Sequence, residues 1–384
     1  MAPHDLRRPF KRAAISDQQR RRELSLQRQA QHRRDAQHQA RCLASFLNPH
    51  SDPEPEPETT PEPEPEPTDS PKELDVRHAS KLKGAEARKW FARQLMLPEW
   101  MIDVPDQLPQ DWYVFARPAG KRCFVVSSNG TTVSRLRNGS MLHHFPSALP
   151  SGARTKDSSG SAQSYSILDC IFHELDQTYY VIDMVCWREY SLYDCTAEFR
   201  FFWLSSKLAE TAYTGAVPYV KDGLLFYNKH AHYQTGNTPL ALVWKDENCS
   251  QYVIDTDSKG QVPSQQQVVL ELQDNGNLST SDDPPVVFGC LDQAFIEQTE
   301  SRSGNLLRFA IGDGGLNFVD GKLEKADLHY LGKSNRARAF ADSYSKVMFQ
   351  YMARHSPLRI DDLLASINSS NDQENKPSDV EMVG

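Results

Sequence analysis

Apolar and polar positions change rhythm twice along this chain of 384 residues. From about residue 85 onward, short apolar runs alternate with polar residues: Trp112–Ala116, Arg122–Ser127, Ser166–Glu174, Tyr179–Trp187, Phe199–Leu204, Gly223–Tyr227 and Pro239–Trp244. Runs of this length predict strands, and the Gly, Asn, Asp and Ser residues between them predict turns. Gln267–Leu272 and Leu306–Ile311 are weaker strand signals. Helical spacing occurs in ARKWFARQLML, which opens the region, and in AFADSYSKVMFQYMARH at 339–355. Residues 85–355 therefore predict an α+β domain of mainly antiparallel sheets. Two polar stretches interrupt it: GARTKDSSGSAQS reads as a mobile loop, and DNGNLSTSDDPP, within 246–285, as a loop insertion. Residues 356–384 predict a disordered tail.

The N-terminal 48 residues follow another pattern. Ser16 and Gln19 form a capping box, and no Gly or Pro interrupts residues 17–47, which predicts a long helix. Its apolar face is thin (Ala36, Ala40, Leu43, Leu47), so the helix needs a partner. Residues 49–84 form a linker. Its SDPEPEPETTPEPEPEPTDSP run resists helix and sheet, and 21 residues at ~3.1 Å each span roughly 65 Å in the polyproline form.

Charge sharpens this division. The net charge is −8, yet residues 1–48 carry eleven Lys/Arg against four Asp/Glu, and residues 49–71 carry eight acids and no base. The basic character sits in the arm alone. Hydrophobic residues make up 39%, low for a wholly globular chain. No apolar run approaches the ~20 residues of a membrane helix, and MAPHDLRRPFKR leads into no apolar signal core. The seven cysteines form no CxxC pair, which predicts reduced thiols in the cytosol or nucleus and no zinc site.

Four short motifs then bear on chemistry: Arg117-Pro-Ala-Gly-Lys-Arg122, Asp183-Met-Val185, Asp222-Gly-Leu-Leu-Phe226 and the run Tyr233–Lys245 ending in ALVWK. Their order resembles that of the lysine-dependent nucleotidyltransferases, the mRNA capping enzymes and ligases. In that family a lysine attacks the α-phosphate. Here Arg117, which keeps its proton, stands at that position. The glutamate of the second motif is replaced by Val185, and the first lysine of the fourth by Val243. The losses imply a nucleotide pocket without transfer chemistry.

Longer stretches bring a closer resemblance. QLMLPEWMIDVP (94–105), residues 166–208, DGLLFYNKHAHY (222–233) and the basic arm resemble the snurportin family, as a divergent or plant-like member. The resemblance implies a fold of capping-enzyme nucleotidyltransferase type, preceded by the long N-terminal helix. It implies binding of the 2,2,7-trimethylguanosine cap of spliceosomal small nuclear RNPs, linkage of that cargo to importin-beta, and shuttling between cytoplasm and nucleus. It implies a binding protein and not an enzyme, with no cofactor, metal or membrane. An exportin would serve recycling, although MAPHDL lacks the apolar leucine-bearing segment used for that contact.

The implied cap-binding residues are Trp100, Leu97, Arg122, Arg137, Trp244, Lys121 and Lys245. Tryptophan faces attract the cationic methylated guanine, and arginine and lysine suit the triphosphate. Pro98 replaces a family serine. One extra residue follows Thr238-Pro239-Leu240, and such a slip turns the Trp244 side chain over unless a bulge absorbs it. Trp112, Trp187 and Trp203 read as core. The implied importin-beta contacts are Arg7, Arg8, Lys11, Arg12, Arg20, Arg21, Arg22, Arg28, Arg33, Arg34 and Arg41. Two other readings stay open: a nucleotidyltransferase-like enzyme and a general RNA-binding protein.

Overall fold

The strand-forming alternation is realised in a computed structural model that describes residues 18–34, 84–153, 164–209, 219–257, 259–319, 322–334 and 338–374. The elements begin with α1 (18–34), α2 (Gly84–Phe91), β1 (Met96–Trp100), α3 (Leu108–Asp111), β2 (Trp112–Pro118), β3 (Lys121–Ser128), β4 (Thr131–Leu136) and β5 (Met141–Phe145). They continue with β6 (Tyr165–His173), β7 (Thr178–Trp187), β8 (Tyr190–Ser191), α4 (Ala197–Leu208), β9 (Lys221–Asn228) and β10 (Gly236–Trp244). The last group is β11 (Gln267–Leu272), β12 (Asn277–Ser279), β13 (Val287–Cys290), α5 (Gln293–Gln298), β14 (Leu306–Val319), β15 (Lys322–Lys333), α6 (Tyr344–His355) and α7 (Ile360–Glu374).

The strands form three sheets. Their orders are β1-β10-β9-β2, β5-β4-β3-β6-β7-β8 and β13-β12-β11-β14-β15. Among the described residues only the strands β1 and β10 pair in parallel, so the fold is α+β and mainly antiparallel. The first two sheets share a core in which Phe124, Ile167 and Ile171 face Leu225, Tyr227 and Ala241. The third sheet builds its own, with Val268, Leu270 and Phe309 against Val347 and Met348 of α6. Trp112 and Trp187 are buried, as their strand positions predict.

One apolar run takes the other secondary structure. Phe199–Leu204 reads as a strand but lies inside α4. The Thr196 side chain accepts the Phe199 N–H and caps the helix. Ala197, Arg200, Trp203, Leu204 and Leu208 recur at helical spacing toward the sheet, while Phe199 and Phe202 face outward, 43% and 73% exposed. The inward residue that decides the matter is charged. Arg200 donates from Nε and Nη2 to the two carboxylate oxygens of Asp183, at 2.9 and 2.8 Å, and from Nη1 to the carbonyls of Cys195 and Ala231. Both partners are fully buried.

Other boundaries shift. The helix read into ARKWFARQLML stops at Phe91, and Met96-Leu97 already belong to β1. The polar insertion contains β12. The tail expected from residue 356 begins with α7, whose Leu363 packs beneath Trp244. The N-terminal helix is described over 18–34 only. Ser16, residues 35–48, the acidic run and residues 154–163 lie outside the described residues. No described helix is long and apolar enough to cross a membrane.

Removing one partner of a buried ion pair leaves the other charge without compensation, at a cost of about 3–5 kcal/mol. Arg200→Ala is therefore expected to lower the unfolding free energy by that much, and far more than Arg20→Ala on the exposed side of α1. Equilibrium denaturation followed by far-UV circular dichroism checks this.

Candidate functional site

A cavity of about 660 Å³ opens where the first two sheets meet the chain leading into α6. Leu97, Pro98 and Trp100 of β1 form one wall. Arg117 of β2, Lys121 and Arg122 of β3, Leu136 of β4 and the following Arg137 form a second. Val243 and Lys245 lie at the end of β10, and residues 338–343 with Lys346 of α6, together with Asn138, Asn237 and Asp255, complete the lining.

Trp100 is held in place from behind. Its backbone N–H donates to Ser345 Oγ at 3.1 Å, and its ring leans on Phe349 of α6 with centroids 4.8 Å apart. The Lys245 ammonium lies 5.9 Å from the Trp100 ring centre, within cation–π range.

Asp222, from the KDGLLF stretch, organises two of the cations. Its carboxylate accepts from Lys245 Nζ at 2.5 Å and from Arg117 Nη1. Burial lowers the pKa of both bases, and Asp222 opposes that shift. Gly223 beside it has φ +98, and a Cβ there would meet the Trp244 carbonyl oxygen, so only glycine suits the position.

Arg122 faces the cavity but is engaged beneath it. It makes two bonds to the Asp169 carboxylate, at 3.0 and 2.7 Å, and a third to the Tyr227 hydroxyl at 3.2 Å. Burial works against its charge, but Asp169 prevails and the proton is held more tightly than usual. Lys121 pairs with Glu174 at the exposed rim. Arg137 lies 5.6 Å over the Phe340 ring and, among the described residues, forms no ion pair. Burial, then the Arg122 and Arg338 charges, lower its pKa. A cluster of cations around one aromatic wall suits a phosphorylated planar ligand.

The cavity thus gathers six of the seven residues implied as cap contacts. Trp244 is the exception and the correction. It is 1% exposed, packs with Met101, Phe226 and Leu358, and donates from Nε1 to the Leu358 carbonyl at 3.0 Å. The register explains it. Pro98 aligns with Thr238 but Glu99 with Leu242, so the irregularity absorbs residues 239–241 without restoring the phase. Val243 consequently lines the cavity and Trp244 turns to the core. Asp183, the acid of the second motif, is likewise withdrawn into its pair with Arg200.

The basic arm also departs from expectation. Helix α1 rests on the domain. Gln18 donates to Glu99 and to the Trp100 carbonyl, and both Nη atoms of Arg21 bond the Glu99 carboxylate. Arg22 is buried, bonds the Pro239 carbonyl and lies 5.4 Å from the Trp112 ring; burial lowers its pKa to about 10, against the pull of Glu99. Arg21 and Arg22, expected to meet a partner, thus face the chain's own domain. Arg20, Arg28, Arg33 and Arg34 stand on exposed positions, Arg33 beside His232. Arg7, Arg8, Lys11, Arg12 and Arg41 lie outside the described residues.

Sequence reasoning missed Arg338, Phe340 and Lys346. They carry no motif and reach the cavity only because the third sheet and α6 fold back on β1.

Residues 94–217 match the family model described as "Snurportin1, m3G cap-binding domain", and over that stretch the chain is snurportin-like. The match takes in Trp100, Lys121, Arg122 and Arg137, but not Lys245 or the 338–346 segment. Among solved structures, the chain is similar to mycobacterial DNA ligase D complexed with ATP and MES, at 11% identity and TM-score 0.31, over 65% of this chain and 98% of that one. It is also similar to the ligase domain of M. tuberculosis LigD, at 12% identity and TM-score 0.31, over 64% and 96% of the two chains. Lig E DNA ligases give 12% identity and TM-score 0.27, over 62% and 98%. These neighbours are enzymes, which runs against the expectation from sequence that the chain is not one. That expectation is withdrawn, and a likeness this distant assigns no activity in its place.

Trp244→Ala is expected to cost about 3–5 kcal/mol of stability, as for other buried aromatic truncations. Trp100→Ala, which empties a half-buried position, is expected to cost less. Paired urea titrations of the two variants measure the difference.

Proposed function

We propose that the cavity binds the 2,2,7-trimethylguanosine cap of small nuclear RNA. The observation that carries the reading is the juxtaposition of Trp100 with Arg117, Arg137 and Lys245 in one cavity, within a chain whose residues 94–217 match an m3G cap-binding domain model. A methylated guanine is a flat cation with apolar methyl edges. It gains from an aromatic face, while its phosphates gain from nearby guanidinium and ammonium groups.

The same reading extends to transport. We infer that the arm links capped RNP cargo to importin-beta, through Arg20, Arg28, Arg33 and Arg34 of α1 together with Arg7, Arg8, Lys11, Arg12 and Arg41. The charge confined to residues 1–48 supports this, since acidic helical-repeat receptors take basic segments. Arg21 and Arg22 join only if α1 leaves Glu99 and Pro239. A protein in this role shuttles between cytoplasm and nucleus, with an exportin for its return.

Titration with trimethylated, monomethylated and unmethylated cap analogues, followed by tryptophan fluorescence, tests the reading. The expected order of affinity is trimethylated, then monomethylated, then unmethylated. Trp100→Ala is expected to weaken the trimethylated analogue by about 1–3 kcal/mol, the worth of one stacked base. Equal affinity for all three analogues, with steep salt dependence, contradicts the reading and favours general RNA binding.

A further inference from the structure

The inward turn of Trp244 leaves β10 without an aromatic residue at the cavity, where Val243 stands instead. A cationic base held by Trp100 alone would keep one face against aliphatic or charged groups. Among the described residues that line the cavity, Phe340 is the other aromatic side chain. It lies more than 90 residues beyond β10, outside the stretch matched to the cap-binding family model.

Three observations make Phe340 more than a bystander. It is only partly buried and lines the cavity. Its face already receives a cation, the Arg137 guanidinium at 5.6 Å, just as the Trp100 ring receives Lys245 at 5.9 Å. Both rings are therefore presented to positive charge, the property an N7-methylated guanine offers. The chain around Phe340 is also anchored. Arg338 donates from Nε to the Phe340 carbonyl at 2.9 Å and from Nη2 to Asp342 at 2.5 Å. Asp342 in turn accepts the Val269 N–H at 2.9 Å and pairs with Lys346 at 3.0 Å. A backbone held at the Phe340 carbonyl and at the following Asp342 is preorganised, which lowers the ordering cost of binding.

We propose that Phe340 is the second aromatic contact for the methylated base, supplied by the C-terminal segment in place of the tryptophan that β10 has turned inward. The proposal rests on the cap-binding reading above. It makes the 338–346 segment a specificity-determining part of the site, because a cation–π contact rewards the charged, methylated ring over neutral guanine.

The test uses the full chain with Phe340→Leu, Phe340→Tyr and Phe340→Ala, titrated with trimethylated and unmethylated cap dinucleotides. Leucine keeps bulk and apolarity but removes the π face. Phe340→Leu is expected to lose roughly 5- to 100-fold in affinity for the trimethylated analogue. Its ratio of trimethylated to unmethylated affinity falls with it, while its urea midpoint stays near that of the parent. Phe340→Tyr is expected to restore both affinity and ratio. Phe340→Ala is expected to lose at least as much affinity for the trimethylated analogue as Phe340→Leu. Parental affinity and selectivity in Phe340→Leu overturn the proposal while leaving the cap-binding reading intact. Failure of the parent chain itself to prefer the trimethylated analogue overturns that reading, and the proposal with it.

Discussion

A buried carboxylate joins the two sheets beneath the cavity. Asp169 on β6 takes two bonds from Arg122 on β3 and one from the Tyr233 hydroxyl at 2.7 Å. Tyr233 accepts the Met96 N–H at 3.1 Å, and Arg122 reaches Tyr227 on β9. One network thus ties the six-stranded sheet to β9 and β1 of the four-stranded sheet. A half-satisfied buried network is costly, so each member constrains the others. The network lies beneath a cavity whose walls carry Trp100 on one sheet and Arg122 on the other. The arginine implied as a phosphate ligand therefore has a structural task first.

The second constraint is the phase of β10. Side chains alternate across a strand, so one extra residue exchanges the two faces. The irregular pairing at Pro98 and Glu99 joins β1 to β10 but leaves Val243 at the cavity and Trp244 in the core. Trp244 then supports the site indirectly, from a cluster shared with Phe349, the ring that backs Trp100. Strand β1 carries a further load on its other side, where Glu99 binds α1. A single strand thus meets the cavity, α6 and the arm.

Much of this was legible in the sequence. The strands around Cys123, Ile171, Met184 and Leu225 follow from apolar runs bounded by turn residues, and Leu97, Trp100, Lys121, Arg122, Arg137 and Lys245, implied by the family resemblance, line one cavity. The rest depended on interactions that local pattern does not encode. Phe199–Leu204 has strand-like composition, yet it lies in a helix capped by Thr196 and held to the sheet by the Arg200–Asp183 pair. Arg22 looks like a solvated charge until the backbone carbonyl of Pro239 and the Trp112 ring are beside it. Phe340 reaches the cavity through the packing of a whole sheet and helix, a contact that no short motif announces. The phase of Trp244 was the intermediate case. The insertion was visible, but whether the bulge would absorb it was decided by pairing with β1.

The proposed cap-binding site seats a methylated guanine between β1 and the chain entering α6. The most direct measurement is photo-cross-linking with a trimethylated cap analogue carrying a photoreactive base, followed by peptide mapping. Adducts in the peptides containing Trp100 and Phe340, competed by trimethylated but not by unmethylated cap, are the predicted result. Adducts confined to the groove between Phe115, Tyr180 and Phe201, or competed equally by both caps, would contradict the account.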